Sequence, residues 1–142
     1  MKRASGIWIA CGLFSIAFTA CQTCAPSAPQ SIRSSKKPND VIVSIARTAQ
    51  TCWFKSKDNA FKSYRLANET NAYAGRPRFL LVPKSDPGGL PHLVVQAETK
   101  GDSTSGTYTN IQTYGPLLET PNGKRITDDV KRWSGGSAAC KA

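Results

Sequence analysis

Five cysteines and one histidine carry most of the reactive chemistry available to this 142-residue chain. The cysteines are Cys11, Cys21, Cys24, Cys52 and Cys140; the histidine is His92. A serine or cysteine nucleophile usually needs a base beside it, and His92 is the obvious one to ask. It follows Pro91 at the start of an apolar run, where a half-exposed structural histidine is the expectation. No Cys-x₂-Cys pair occurs beyond residue 38, so the spacing of a zinc site is missing. Asp86-Pro87-Gly88-Gly89 has glycines, but no Gly-Lys-Ser/Thr and no helix start follow, as a phosphate loop requires. Asp128-Asp129 invites a metal, yet two acids in the first turn of a helix are explained by the helix dipole alone. The residue types therefore predict a non-enzymatic protein with no cofactor and no metal.

A second set is basic and aromatic. Lys55, Lys57, Lys62 and Arg65 fall close together, with Trp53, Phe54, Phe61 and Tyr64 among them. Arg76 and Arg78 flank Pro77 and point to the same side of an extended strand. Arginine grips phosphates and carboxylates through a two-pronged fork. If Arg65, Arg76 and Arg78, with Lys62 beside them, share an uncovered sheet face, they make an anion-binding surface. The simpler assignment makes the aromatics core and the cations their solvated neighbours, and charge patterning favours it.

The N-terminus is more specific. Met1-Lys2-Arg3 is positive, and Ala4 to Ala20 carries no charge while Ile7, Trp8, Ile9, Leu13, Phe14, Ile16 and Phe18 make it apolar. That is the layout of a secretory signal peptide, too short for a membrane span of ~20 apolar residues. Phe18-Thr19-Ala20-Cys21 resembles the lipobox of bacterial lipoproteins, with Phe where Leu is commoner. The resemblance covers residues 1–21 only. It implies cleavage before Cys21 by signal peptidase II and a diacylglyceryl group on the Cys21 sulfur. Several acyl chains anchor a protein firmly, each buried CH₂ contributing ~0.8 kcal/mol. Gln22 follows, and without an Asp at that position the lipoprotein sorting pattern implies the outer membrane. The competing assignment is an ordinary signal peptide, cut after Ala20 or Ala25 to release a soluble protein.

Export changes what the charge means. The +10 of the whole chain less Lys2 and Arg3 is +8, which attracts anionic partners. Outside the cytosol these are anionic lipid, glycolipid, acidic polysaccharide or acidic protein, and no nucleic acid. With Cys11 lost in the leader and Cys21 taken by lipid, Cys24, Cys52 and Cys140 remain in a compartment where disulfides persist. Cys52 with Cys140 is the expected pair, joining the end of a helix to the C-terminus. Closing so long a loop stabilises by ~4 kcal/mol on the chain-entropy account.

The elements that position these residues follow from the pattern. Residues 21–38 are rich in Ser, Pro, Ala and cations and read as a tether. Asn39 is expected to cap a helix to about Phe54, with Ile42, Ile45, Ala46, Ala49, Cys52 and Trp53 on its apolar face. Four strands are expected over 61–67, 76–83, 90–99 and 107–114, separated by Lys84–Gly89 and Gly101–Gly106 turns. Pro121-Asn122-Gly123-Lys124 reads as a turn, and Thr127 caps a short helix to Trp133, closed by Gly135-Gly136. The expected fold of 39–142 is a two-layer α+β domain, the N-terminal helix packed on a four-stranded antiparallel meander. The sequence thus points to a lipid-anchored envelope protein, at the outer membrane, that binds an anionic envelope component or a protein partner. The alternative is an inhibitor or accessory subunit docked on an envelope enzyme or transporter.

Overall fold

The computed structural model describes residues 29–70 and 76–140. Residues 1–20, where a leader is expected, and Cys21 and Cys24 lie outside the described residues. Strand β1 (Gln30–Ser34) is followed by helix α1 (Pro38–Ala49), which continues as a π-helical segment, Gln50–Lys55. Then come β2 (Tyr64–Glu69), β3 (Arg78–Pro83), β4 (Leu93–Asp102) and β5 (Gly106–Tyr114), a 3₁₀ turn at Pro116–Glu119, and α2 (Gly123–Ser134). The sheet order is β1-β5-β4-β3-β2, with every neighbour antiparallel. The α+β class and the β2-to-β5 meander agree with the sequence expectation.

The count of strands does not: among the described residues there are five. Gln30–Ser34, assigned above to the tether, pairs with β5 from Gln30 opposite Thr113 to Ser34 opposite Thr109. A five-residue edge strand needs one apolar contact inward and little else, and Ile32 supplies it. Polar composition alone does not distinguish such a strand from a linker.

Period-2 alternation sorts the sheet's two faces. Phe79, Leu81, Leu93, Val95, Ala97 and Ile111 face one way and form the core with Val41, Ile42, Ile45, Ala49, Trp53, Ile126, Val130 and Trp133 of the helical layer. Both helices therefore lie on this face, α1 against β3, β4 and β5, and α2 against α1 and β1. The predicted stripe of α1 is buried throughout, from Ile42 to Trp53.

Helix boundaries moved for identifiable reasons. Helix α1 is preceded by Lys37 in an extended conformation, with Pro38 in its first turn and no side-chain cap. The fixed φ of proline and its missing N–H suit that position, so the helix starts before Asn39. Helix α2 starts at Gly123, not after Thr127. The Thr127 hydroxyl donates to the Gly123 carbonyl one turn back, at 3.0 Å, and so lies inside the helix. Gly123 is buried, and a Cβ there would collide with the Leu118 carbonyl. The glycine that reads as a turn is required by that close approach. Asp128 and Asp129 accordingly sit in the second turn and are not dipole caps.

Candidate functional site

Two regions gather chemistry: the sheet face that no helix of the described residues covers, and the junction of the π-helical segment with α2.

On the uncovered face, adjacent strands place side chains in rows. One row runs Glu69, Arg78, Gln96, Gln112 and Ser31 across all five strands. Arg78 Nε donates to Glu69 Oε2 at 2.6 Å, Gln96 Nε2 donates to Gln112 Oε1 at 2.9 Å, and the Tyr114 hydroxyl donates to Gln96 Oε1 at 3.2 Å. The next row holds Glu98, Asn110 and Arg33. Glu98, whose side chain is only 12% exposed, takes Arg76 at 3.2 Å on one oxygen and Lys100 at 3.1 Å on the other. The Arg33 guanidinium lies 4.1 Å from the Tyr108 ring centroid, a cation–π geometry. Toward the other end Arg65 stands opposite Val82, and Leu80 opposite Val94.

The structure puts Arg65 and Arg78 on one face, with Arg76 reaching Glu98 there, but it does not aim them at one point. Arg65 pairs with Val82, four residues along β3 from Arg78, which is ~13 Å of strand. Its Nη2 donates to the Pro87 carbonyl at 2.8 Å. Arg76 and Arg78 are each held by a glutamate. Lys62 lies off the face, in the turn before β2. Sequence reasoning had no signal for Glu69 and Glu98 as partners, because cross-strand neighbours are set by register and not by proximity in the chain.

The second region is a buried polar junction. Trp53 Nε1 donates to Asp129 Oδ2 at 2.8 Å, and Arg132 Nη2 donates to Oδ1 at 2.5 Å. Arg125 Nε lies 3.8 Å from Asp129 and its Nη2 donates to Asp58 Oδ2 at 2.5 Å. That bond from Arg125, aided by the Ala60 amide, holds the Asp58 carboxyl below its ordinary value of 3.8 against the opposing pull of burial. Trp53 stacks on Phe61 with centroids 4.6 Å apart and meets Trp133 at 5.0 Å. The Cys52–Cys140 bridge closes beside this junction, Cα atoms 5.2 Å apart, as the cysteine accounting predicted. An open cleft of about 750 Å³ lies alongside, walled by the disulfide, Asp58–Arg125 and Lys124–Asp128. Its charges are spent on one another, so its first role is to clamp α2 and the C-terminal tail onto the π-helical segment.

The His92 ring makes its hydrogen bond with the Tyr64 hydroxyl, 3.2 Å from Nδ1, and the His92 carbonyl accepts from the Leu117 amide at 2.9 Å. No serine or cysteine hydrogen-bonds to that ring among the described residues. Among those residues, too, no cluster of three His, Cys, Asp or Glu side chains is placed to hold a metal ion, and no helix is long and apolar enough to cross a membrane. No protein-family model matches this sequence, and comparison with curated proteins and with solved structures finds no match.

Proposed function

We propose that the chain is a lipid-anchored cell-envelope protein of the outer membrane, held through Cys21, whose domain works by binding and not by catalysis. The uncovered sheet face is the binding surface, and a protein is its partner. The observation that carries this reading is that the two arginines on the β3 side of that face, Arg76 and Arg78, are already paired with carboxylates of the face itself. Arg76 and Arg78 already hold Glu98 and Glu69, with glutamines, tyrosines and a few aliphatic side chains between them. A phosphate-rich glycan would have to displace both carboxylates to be gripped by Arg76 and Arg78 together. A protein surface can complement both signs, and paired charges of this kind set specificity more than affinity. The partner class includes an envelope enzyme or transporter to which this chain would be an accessory subunit or inhibitor.

Two experiments on the full chain in its native host test the two halves. Labelled palmitate should enter the protein and be lost in Cys21→Ser; a protein released unlabelled into the soluble fraction removes the anchor. A photo-crosslinking residue at Gln112 should yield one discrete protein adduct that persists in high salt. Adducts no more discrete than those from Thr48, on the outer side of α1, remove the sheet face as the binding surface.

A further inference from the structure

We propose that one end of the sheet faces the bilayer and touches anionic lipid through Leu90, Lys62, Arg65 and Lys84. The proposal rests on the lipid anchor argued above. The register places Gln30 next to Thr113, Tyr114 opposite Val94, Leu93 opposite Leu81, and Pro83 opposite Tyr64. The chain's route back to Cys21 therefore leaves the sheet at the same end as the β3–β4 loop and the turn before β2. Residues 22–29 can span at most ~28 Å, so this end stays close to the anchoring lipid.

What stands at that end suits a lipid surface. Leu90 is 86% exposed, the one large hydrophobic residue so exposed among the described residues, and it sits in the loop between β3 and β4. Two cations are fixed around the loop by backbone carbonyls and not by carboxylates: Lys84 Nζ donates to Lys62 O at 2.7 Å, and Arg65 Nη2 to Pro87 O at 2.8 Å. Lys62 has no carboxylate within ion-pair distance among the described residues. Lys124 and Arg125 are paired with Asp128 and Asp58, and Asp86 and Glu119 are the remaining acids of this end. One leucine and three cations would not retain a free protein on a membrane. A domain already held by a short leash experiences an effective surface concentration of ~mM, at which so small a contact suffices to orient it. In that orientation the strands stand upright on the membrane and the uncovered face is open sideways to a partner.

The test uses the full lipidated chain carrying Leu90→Trp, reconstituted into vesicles with brominated acyl chains. The native Trp53 and Trp133 are buried and set the background. In vesicles containing phosphatidylglycerol the added indole should be quenched. Quenching should be lost in 1 M salt, where screening reaches ~3 Å, and in the Lys62→Gln, Arg65→Gln, Lys84→Gln background. Vesicle-bound protein with an unquenched indole overturns the contact, as does quenching indifferent to phosphatidylglycerol and salt. Palmitate labelling separates the two failures: a labelled protein with no quenching sinks only the orientation, whereas an unlabelled protein sinks the anchor and the orientation with it.

Discussion

Asp129 is the acceptor on which the buried polar junction converges. Its side chain is 2% exposed, and it receives Trp53 from the π-helical segment while facing two arginines of α2. Removing it leaves the buried Trp53 N–H without its acceptor, at a cost of about 1–3 kcal/mol, while Arg125 keeps Asp58 and Arg132 keeps the Ala139 carbonyl. Asp129→Ala should therefore lower the urea midpoint by that much stability, whereas Asp128→Ala, whose carboxylate is 40% exposed, should cost well under half of it. Asp58 adds a pH dependence of known sign. Its carboxyl titrates lower in the folded chain than its ordinary value of 3.8. The stability it contributes is thus complete above that value and is lost as the pH falls through the lower, folded value. Asp58→Asn should be less stable than the parent at pH 7, and the gap should close in acid unfolding below pH 3.8. A gap that stays constant down to full protonation would mean that packing, and not ionisation, makes the contact. Asp129 was read as a dipole cap because the helix was expected to start at Thr127, while the indole that reaches it comes from 76 positions away.

At the scale of elements, what could be read was whatever repeats. The α1 stripe, the meander and its hairpins were legible because apolar spacing and Pro/Gly turns are local signals. Strand β1 was not, because Gln30–Ser34 offers one apolar residue and has its partner near residue 111. Its attachment is testable through that residue: Ile32→Asp should detach the edge strand and cost about 2 kcal/mol, from the loss of a partly buried aliphatic side chain. The start of α2 was misread because Gly123 counts as a breaker in any propensity scale. Structure reverses the usual expectation for it. Helix propensity alone predicts that Gly123→Ala stabilises by ~1 kcal/mol. The Leu118 backbone stands where the Cβ would go, and overpacking against backbone costs ~1–3 kcal/mol. Thermal unfolding of Gly123→Ala should show net destabilisation. A third element-level device is the end of the π-helical segment. Lys57 adopts a φ of 58° there, the left-handed conformation that ends many helices. A lysine pays ~1 kcal/mol for it. Lys57→Gly should recover part of that, a few tenths of a kcal/mol after the greater unfolded-state entropy of glycine is set against it, and the midpoint shift in urea measures it.

For the whole molecule, the disulfide is the link between the two ends of the helical layer. It joins Cys52, on the π-helical segment, to Cys140 across a sequence separation of 88. Between them lie β2 to β5 and α2, so the bridge constrains most of the unfolded chain. Only the N-terminal part, with β1 and α1, is outside the closed loop. The same end of the chain is tied down independently. Ala139 accepts hydrogen bonds from Trp133 Nε1 at 3.1 Å and Arg132 Nε at 3.2 Å, which fold the tail back over α2. Those bonds survive loss of the bridge, so the native fold should persist without it and the effect should fall on the unfolded state. The double variant Cys52→Ser, Cys140→Ser should keep the same far-ultraviolet spectrum and lose up to about 4 kcal/mol of stability in urea. The dependence of stability on urea should steepen, because a chain without the crosslink exposes more surface on unfolding. The opposite result, an altered native spectrum with an unchanged slope, would place the contribution of the bridge in the native packing of Trp53 against Trp133. The tail would then be held by its covalent bond and not by the hydrogen bonds to Ala139.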